Sequence, residues 1–213
     1  TKETEGYVDF DYFKIEDKIS DCRWADVCYA DDELEGHKLD IYLPDTGKSS
    51  HKVVVLIYGS AWFANNMKQN AFQVFGRSLL DKGFAVVSIN HRSSRDAKFP
   101  AQINDVKAAI RFIRANAAKY KLDTSFIGIT GFSSGGHLAS LAGTTNGVKS
   151  YTIGDKTVDL EGNVGEYFSF SSRVDAVVDW FGPIDMTRME NCNTTKGANS
   201  PEAVSYTHLR AHE

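Results

Sequence analysis

Cysteine is scarce: Cys22, Cys28 and Cys192 are the 3 in 213 residues. So few exclude a disulfide framework. A Cys22–Cys28 pair stays open beside the plainer alternative of three small, partly buried side chains, and the compartment stays open with it. With 4 prolines and 17 glycines the chain is neither collagen-like nor proline-rich and disordered. Long apolar runs are missing. The longest, Val53 to Tyr58, is strand-sized, against the roughly 20 residues a membrane helix needs. Positive charge is not in excess either: 24 Lys and Arg face 28 Asp and Glu, for a net charge of -4. No basic stripe is present to displace counterions from a phosphate backbone, which argues against a nucleic-acid partner. What remains is the composition of a folded globular chain, 42% hydrophobic and 24% charged. A chain of this length buries about 70% of its unfolded surface without a metal or disulfide staple.

The chain opens Thr1-Lys2-Glu3-Thr4-Glu5, with neither Met nor a signal-type apolar core. A removed leader and an internal piece both fit. Ser205 to Glu213 follows no pattern of the rest and resembles cloning or adapter sequence. The expectation is one partial domain over 1–204 and a non-native tail over 205–213.

Arg23 to Ala30 and His37 to Leu43 read as strands joined by the acidic turn Asp31 to Gly36. The second alternates Leu39, Ile41 and Leu43, the period of a half-buried strand, and Pro44 closes it. Val53 to Tyr58 is continuously apolar, as in a parallel strand covered on both faces, and Phe84 to Ile89 repeats it. Between them Phe72 to Lys82 predicts a helix, stopped by Gly83. Pro100 opens a longer helix. There Ile103, Val106, Ile110, Ile113 and Ala117 form one apolar stripe, and Asp105, Lys107, Arg111 and Arg114 occupy the other faces. Ser125 to Thr130 and Asp175 to Phe181 predict two more buried strands, the second stopped by Gly182-Pro183. Strands alternating with helices make βαβ crossovers, hence a mostly parallel sheet with helices on both faces, the α/β class. Residues 146–173 are polar and without period. They predict an excursion above the sheet's carboxyl edge, where insertions carry specificity.

Gly131-Phe132-Ser133-Ser134-Gly135 is G-x-S-x-G, placed directly after a predicted strand and before the helix candidate Gly136 to Ala142. Strand, motif and helix in that order make a nucleophile elbow. The serine takes a tight, strained turn that lifts its oxygen above the sheet. The chain crowds the positions two before and two after, so both want glycine. The amide of Ser134 opens the helix and points toward a developing oxyanion. Further donors must come from the loop after an earlier buried strand, and Tyr58-Gly59-Ser60-Ala61-Trp62 follows Val53 to Ile57.

Five stretches together carry a resemblance: Leu39 to Pro44, Tyr58 to Trp62, Phe99 to Val106, Gly131 to His137 and Val174 to Pro183. The chain resembles an α/β-hydrolase of the esterase/lipase group. It is most similar to the hormone-sensitive-lipase-related bacterial esterases, which include feruloyl- and acetyl-ester hydrolases of plant polysaccharide breakdown. The resemblance implies an α/β-hydrolase fold with its C-terminal strands missing and a small-molecule ester as substrate, with no cofactor or metal. Ser133 would be the nucleophile, and Ser60, Ala61 and Ser134 match the oxyanion donors. The family's oxyanion loop reads His-Gly-Gly-x-Trp; here Tyr58 replaces the His and Ser60 the second Gly. Backbone amides still donate after both changes.

In this fold the acid and then the histidine follow the serine, and the family places them beyond the strand at Asp175 to Phe181. Only the last 80 of 213 residues follow Ser133. The expectation is that the chain stops before both, turns over poorly, and leaves an apolar edge strand uncovered. His137, one turn into the elbow helix, reads as a packing or capping residue, and His91 as structural. His37 and His51 read as exposed, while His208 and His212 fall in the foreign tail. Asp185 is a conceivable acid that lacks a base. Asp155, Glu161 and Glu166 read as a solvated loop and not as a metal site. The elbow does not separate an esterase from an amidase or peptidase on the same fold, nor from a non-catalytic hydrolase-like binding protein.

Overall fold

The computed structural model describes residues 22–186. Six strands form one sheet in the order β1 (Cys22–Cys28), β2 (Lys38–Tyr42), β4 (Ala85–Ile89), β3 (His51–Ile57), β5 (Leu122–Phe132) and β8 (Ala176–Trp180). β1 with β2 and β2 with β4 pair antiparallel; β4, β3, β5 and β8 run parallel. Along β3, Val53, Val55 and Ile57 pack against α3 (Ala101–Ala115) and α4 (Ser134–Thr144). Val54 and Leu56 pack on the other face, toward α1 (Lys68–Ala71) and α2 (Arg77–Asp81). Burial of both faces is why this strand does not alternate. Cys28 carries a free thiol, while Cys192 and the segment 205–213 lie outside the described residues.

Several boundaries differ from the sequence reading. Helix begins at Lys68, ahead of Phe72, and passes through a π-helical turn at Phe72–Gly76 before Asp81. Tertiary contacts set that start: the Lys68 N–H donates to Asn90 Oδ1 at 2.9 Å and its amine to Asp26 at 2.7 Å. Gly83 (φ 85°) ends the helix as expected. The strand at Asp175 to Phe181 forms as β8 but is not buried, with Val178 50% and Phe181 78% exposed. It is the last strand of the sheet and pairs only with β5 among the described residues.

The excursion also departs from expectation. It contains a hairpin, β6 (Ser150–Ile153) and β7 (Lys156–Asp159), turned at Gly154 (φ 57°). Its contacts run along the whole of α3, and at the sheet's carboxyl edge a Cβ on Gly165 would stand 3.1 Å from the carbonyl oxygen of Tyr29, just past β1. Asn104 Nδ2 donates to Asp159 O at 3.0 Å, Lys107 Nζ to Val148 O at 2.9 Å and Arg114 Nη2 to Arg173 O at 2.7 Å. The polar faces of α3 are therefore buried too: Asp105, Lys107 and Arg111 are at most 1% exposed. The apolar stripe takes the sheet, and the charged side chains supply the hydrogen bonds that main-chain carbonyls of the excursion need when buried.

His37 and His51, expected exposed, are both buried. A 3-10 turn at Glu35–His37 delivers His37 between two carboxylates. Its Nδ1 lies 2.7 Å from Asp32 Oδ2 and its Nε2 3.2 Å from Asp105 Oδ1. Arg92 Nη2 meets the same Asp105 oxygen at 2.6 Å, and the ring of Tyr29 stands 5.3 Å from the imidazole. Burial pulls the His37 pKa down, but the hydrogen bond and charge of Asp105, then those of Asp32, outweigh it, and the pKa is raised. A raised folded pKa means stability that is fully present below the ordinary imidazole value of about 6.5 and lost as pH climbs through the folded value. Thermal unfolding from pH 6 to 9 checks this: the native protein is expected to lose stability across that range, and His37→Gln to lose less of it.

Candidate active site

β5 ends at Phe132 and α4 begins at Ser134, which leaves Ser133 alone at the junction. Its backbone sits at φ 54°, ψ -127°, a region that non-glycine residues avoid. The bend is braced on both sides. The Ser133 N–H donates to Trp180 O at 3.0 Å, and the Ser133 carbonyl accepts the His137 N–H at 3.1 Å. The two motif glycines have steric reasons. A Cβ on Gly131 would stand 2.7 Å from Ile57 O and 2.5 Å from the Gly135 carbonyl carbon, and one on Gly135 would strike the Ile57 and Tyr58 carbonyl oxygens. Ser133 is half-buried, and Ser134 is buried.

The Tyr58 to Trp62 loop lies against this bend, because β3 and β5 are parallel neighbours whose carboxyl ends meet. A Cβ on Gly59 would come within 2.8 Å of Ser133 Cβ. Ala61 (φ 51°) and Trp62 (φ 61°) turn the chain through the left-handed region. The structure thus brings all four residues singled out by sequence, Ser133, Ser60, Ala61 and Ser134, to one corner of the sheet. One contact was not readable from sequence: the Ser60 N–H donates to Ser134 Oγ at 2.9 Å. The Ser60 hydroxyl in turn accepts the Ala64 N–H at 3.3 Å, closing the loop on itself. Tyr58 points inward, stacked 4.9 Å from His91, and donates its hydroxyl to Ala64 O at 3.1 Å. Burial raises the pKa of this phenol and lowers that of His91.

Among the described residues, no histidine ring hydrogen-bonds Ser133. His137 packs edge-on to Trp62 with ring centres 5.3 Å apart, in keeping with a packing role, and burial pushes its pKa down to about 4. His91 turns its Nδ1 to Arg92 O at 2.9 Å. Asp185 is exposed in the segment after β8. The neighbouring Asp179 accepts from the Ser140 hydroxyl and the Gly182 N–H, each at 2.7 Å, and so ties β8 to α4. Glu161 is no solvated carboxylate: it pairs with Arg111 and Lys107 and accepts the Ser172 hydroxyl at 2.8 Å.

Residues 39–209 match the model of the BD-FAE family. Among solved structures, the bifunctional GH43-CE of Bacteroides eggerthii is 91% identical with a TM-score of 0.83; the match covers 89% of this chain and 27% of that one. A truncated carbohydrate esterase from gut microbiota is 63% identical with a TM-score of 0.81, over 85% of this chain and 64% of that one. Esterase LipQ of Mycobacterium tuberculosis is 34% identical over 139 residues, 65% of this chain, which spans only 30% of the relative's length. No helix among the described residues is long and apolar enough to cross a membrane. With a mostly parallel sheet, a strained serine at its carboxyl edge and a family match across most of its length, the chain belongs to the BD-FAE family and has an α/β-hydrolase fold.

Proposed function

We propose that the protein is a serine carboxylic-ester hydrolase for small or plant-polysaccharide-linked acyl esters, working through an acyl-enzyme at Ser133. The observation that carries this reading is the backbone at Ser133, held at φ 54°, ψ -127° with the Gly59 to Trp62 loop beside it. A non-glycine residue kept in such a conformation needs surroundings that over-determine it, and such strain gathers at reactive sites. Kinship with a GH43-CE protein and a carbohydrate esterase supports the substrate class.

In this chemistry Ser133 Oγ attacks the ester carbonyl and gives its proton to a histidine, which passes it to the departing alcohol. Water then repeats the sequence and frees the acid. Amides of Ser60, Ala61 and Ser134 face the tetrahedral oxyanion, each donor contributing on the order of 3 kcal/mol. At rest the Ser60 N–H is held by Ser134 Oγ, so its full use requires that this hydrogen bond be shared with the oxyanion. The proton acceptor comes from outside residues 22–186. His137 is neutral down to about pH 4 but sits inside α4, against Trp62.

Two experiments test the assignment. A fluorophosphonate is expected to modify Ser133 alone. In a protein that also carries the histidine, Ser133→Ala is expected to remove both the label and hydrolysis of p-nitrophenyl acetate, a loss of about a millionfold in the best-studied triad. An undiminished rate in Ser133→Ala overturns the reading. Gly135→Ala, which drives a methyl into the Ile57 and Tyr58 carbonyls, is expected to cost on the order of 3 kcal/mol in chemical denaturation. The same variant should lose the label.

A further inference from the structure

We propose that the cavity between α3 and the 146–173 excursion is a non-catalytic site for an oligosaccharide segment bearing a carboxylate, that is, one containing a uronic acid. The cavity is a half-open cleft of about 340 Å³, at the lower end of the roughly 300–1,000 Å³ usual for small-molecule sites. Its lining includes Arg111, Lys149, Phe168, Phe170 and Arg173, and none of the elbow or oxyanion-loop residues.

Arg111 forms the buried floor of the cavity, at 1% exposure. Its guanidinium donates to Glu161 and, from Nη2, to Val164 O at 2.9 Å. Its buried Nε–H has no partner among the described residues. The ring of Phe168 stands 5.3 Å from the Arg111 guanidinium and is 54% exposed. One face of that ring is committed to a cation and the rest is open, with exposed Phe170 on the same cavity. The electron-rich face of an aromatic ring attracts the polarised C–H groups of a pyranose as it does other positive edges.

Charge selects the acidic sugar. Of the two lining carboxylates, Glu161 is ion-paired and Asp159 is held by main-chain amides. Asp159 Oδ1 accepts the N–H groups of Glu161 and Gly162 at 3.1 and 2.9 Å. Glu161 is taken by Arg111, Lys107 and Ser172. Lys149 and Arg173 are exposed on the same cavity, and among the described residues neither lies within ion-pair distance of a carboxylate. The cavity therefore offers two uncommitted cations beside an aromatic platform. A ligand carboxylate completes that set with charge-assisted hydrogen bonds, which a neutral sugar does not make.

The site stands apart from Ser133, so its test does not depend on the esterase reading. The full chain is titrated calorimetrically with a xylotriose bearing one glucuronic acid and, separately, with neutral xylotetraose. The acidic sugar is expected to bind at least about tenfold more tightly than the neutral one. Lys149→Ala combined with Arg173→Ala should erase that preference. Phe168→Ala should weaken the acidic sugar about tenfold, the scale of a lost aromatic platform. Ser133→Ala should bind as the native protein does. Each variant is accepted only if it melts with the native protein; should Phe168→Ala fail, Phe170→Ala takes its place. No binding of either sugar, equal affinity for both, or affinity untouched by these variants overturns the proposal.

Discussion

Parallel pairing of β3 with β5 is the constraint from which the candidate site follows. It brings the carboxyl ends of two strands side by side, and the chain leaving each must share one small volume. Glycines at 59, 131 and 135 are the residues whose absent side chains make that sharing possible. The cost of the bend at Ser133 is spread over the Trp180 carbonyl, the His137 amide and the packing of Trp62 on His137. The serine is thus held by two elements distant in sequence, not by its own turn alone.

A second theme is the amount of charge taken inside. Lys107, Arg111 and Asp105 are buried on α3, and Lys68 and His37 join them elsewhere. Burying charge is favourable only when partners are fixed in place. Here the partners are carbonyl oxygens of an irregular segment and carboxylates of other elements, Glu161 in the excursion, Asp26 in β1 and Asp32 before the 3-10 turn. These groups do for the excursion what ladder hydrogen bonds do for a strand. A stretch without periodicity is thereby held in one conformation.

Where local rules operate, the sequence was legible. The elbow could be read because strand, glycine spacing and helix lie within a dozen residues. The unbroken apolar run at Val53 to Ile57 announced a strand covered on both faces. Legibility failed where partners are far apart. Nothing near Lys68 reveals that Asn90 and Asp26 will start a helix there. Nothing near His37 reveals Asp105, 68 positions on. The hydrogen bond from Ser60 to the Ser134 hydroxyl joins residues 74 apart and depends on a register that no spacing encodes. The excursion's seat along α3 was hidden because its polar residues carry no period, and the charged side chains of α3 that receive it looked like an ordinary wet face.

The hydrogen bond between the Ser133 amide and the Trp180 carbonyl makes β8, the last strand among the described residues, a structural member of the site. Asp179, one residue earlier on that strand, grips the first turns of α4 and the glycine that follows β8. Posture at the serine and alignment of β8 are therefore one mechanical variable. An element paired to the far side of that strand, which among the described residues meets only β5, would bear on the serine's posture without touching its side chain.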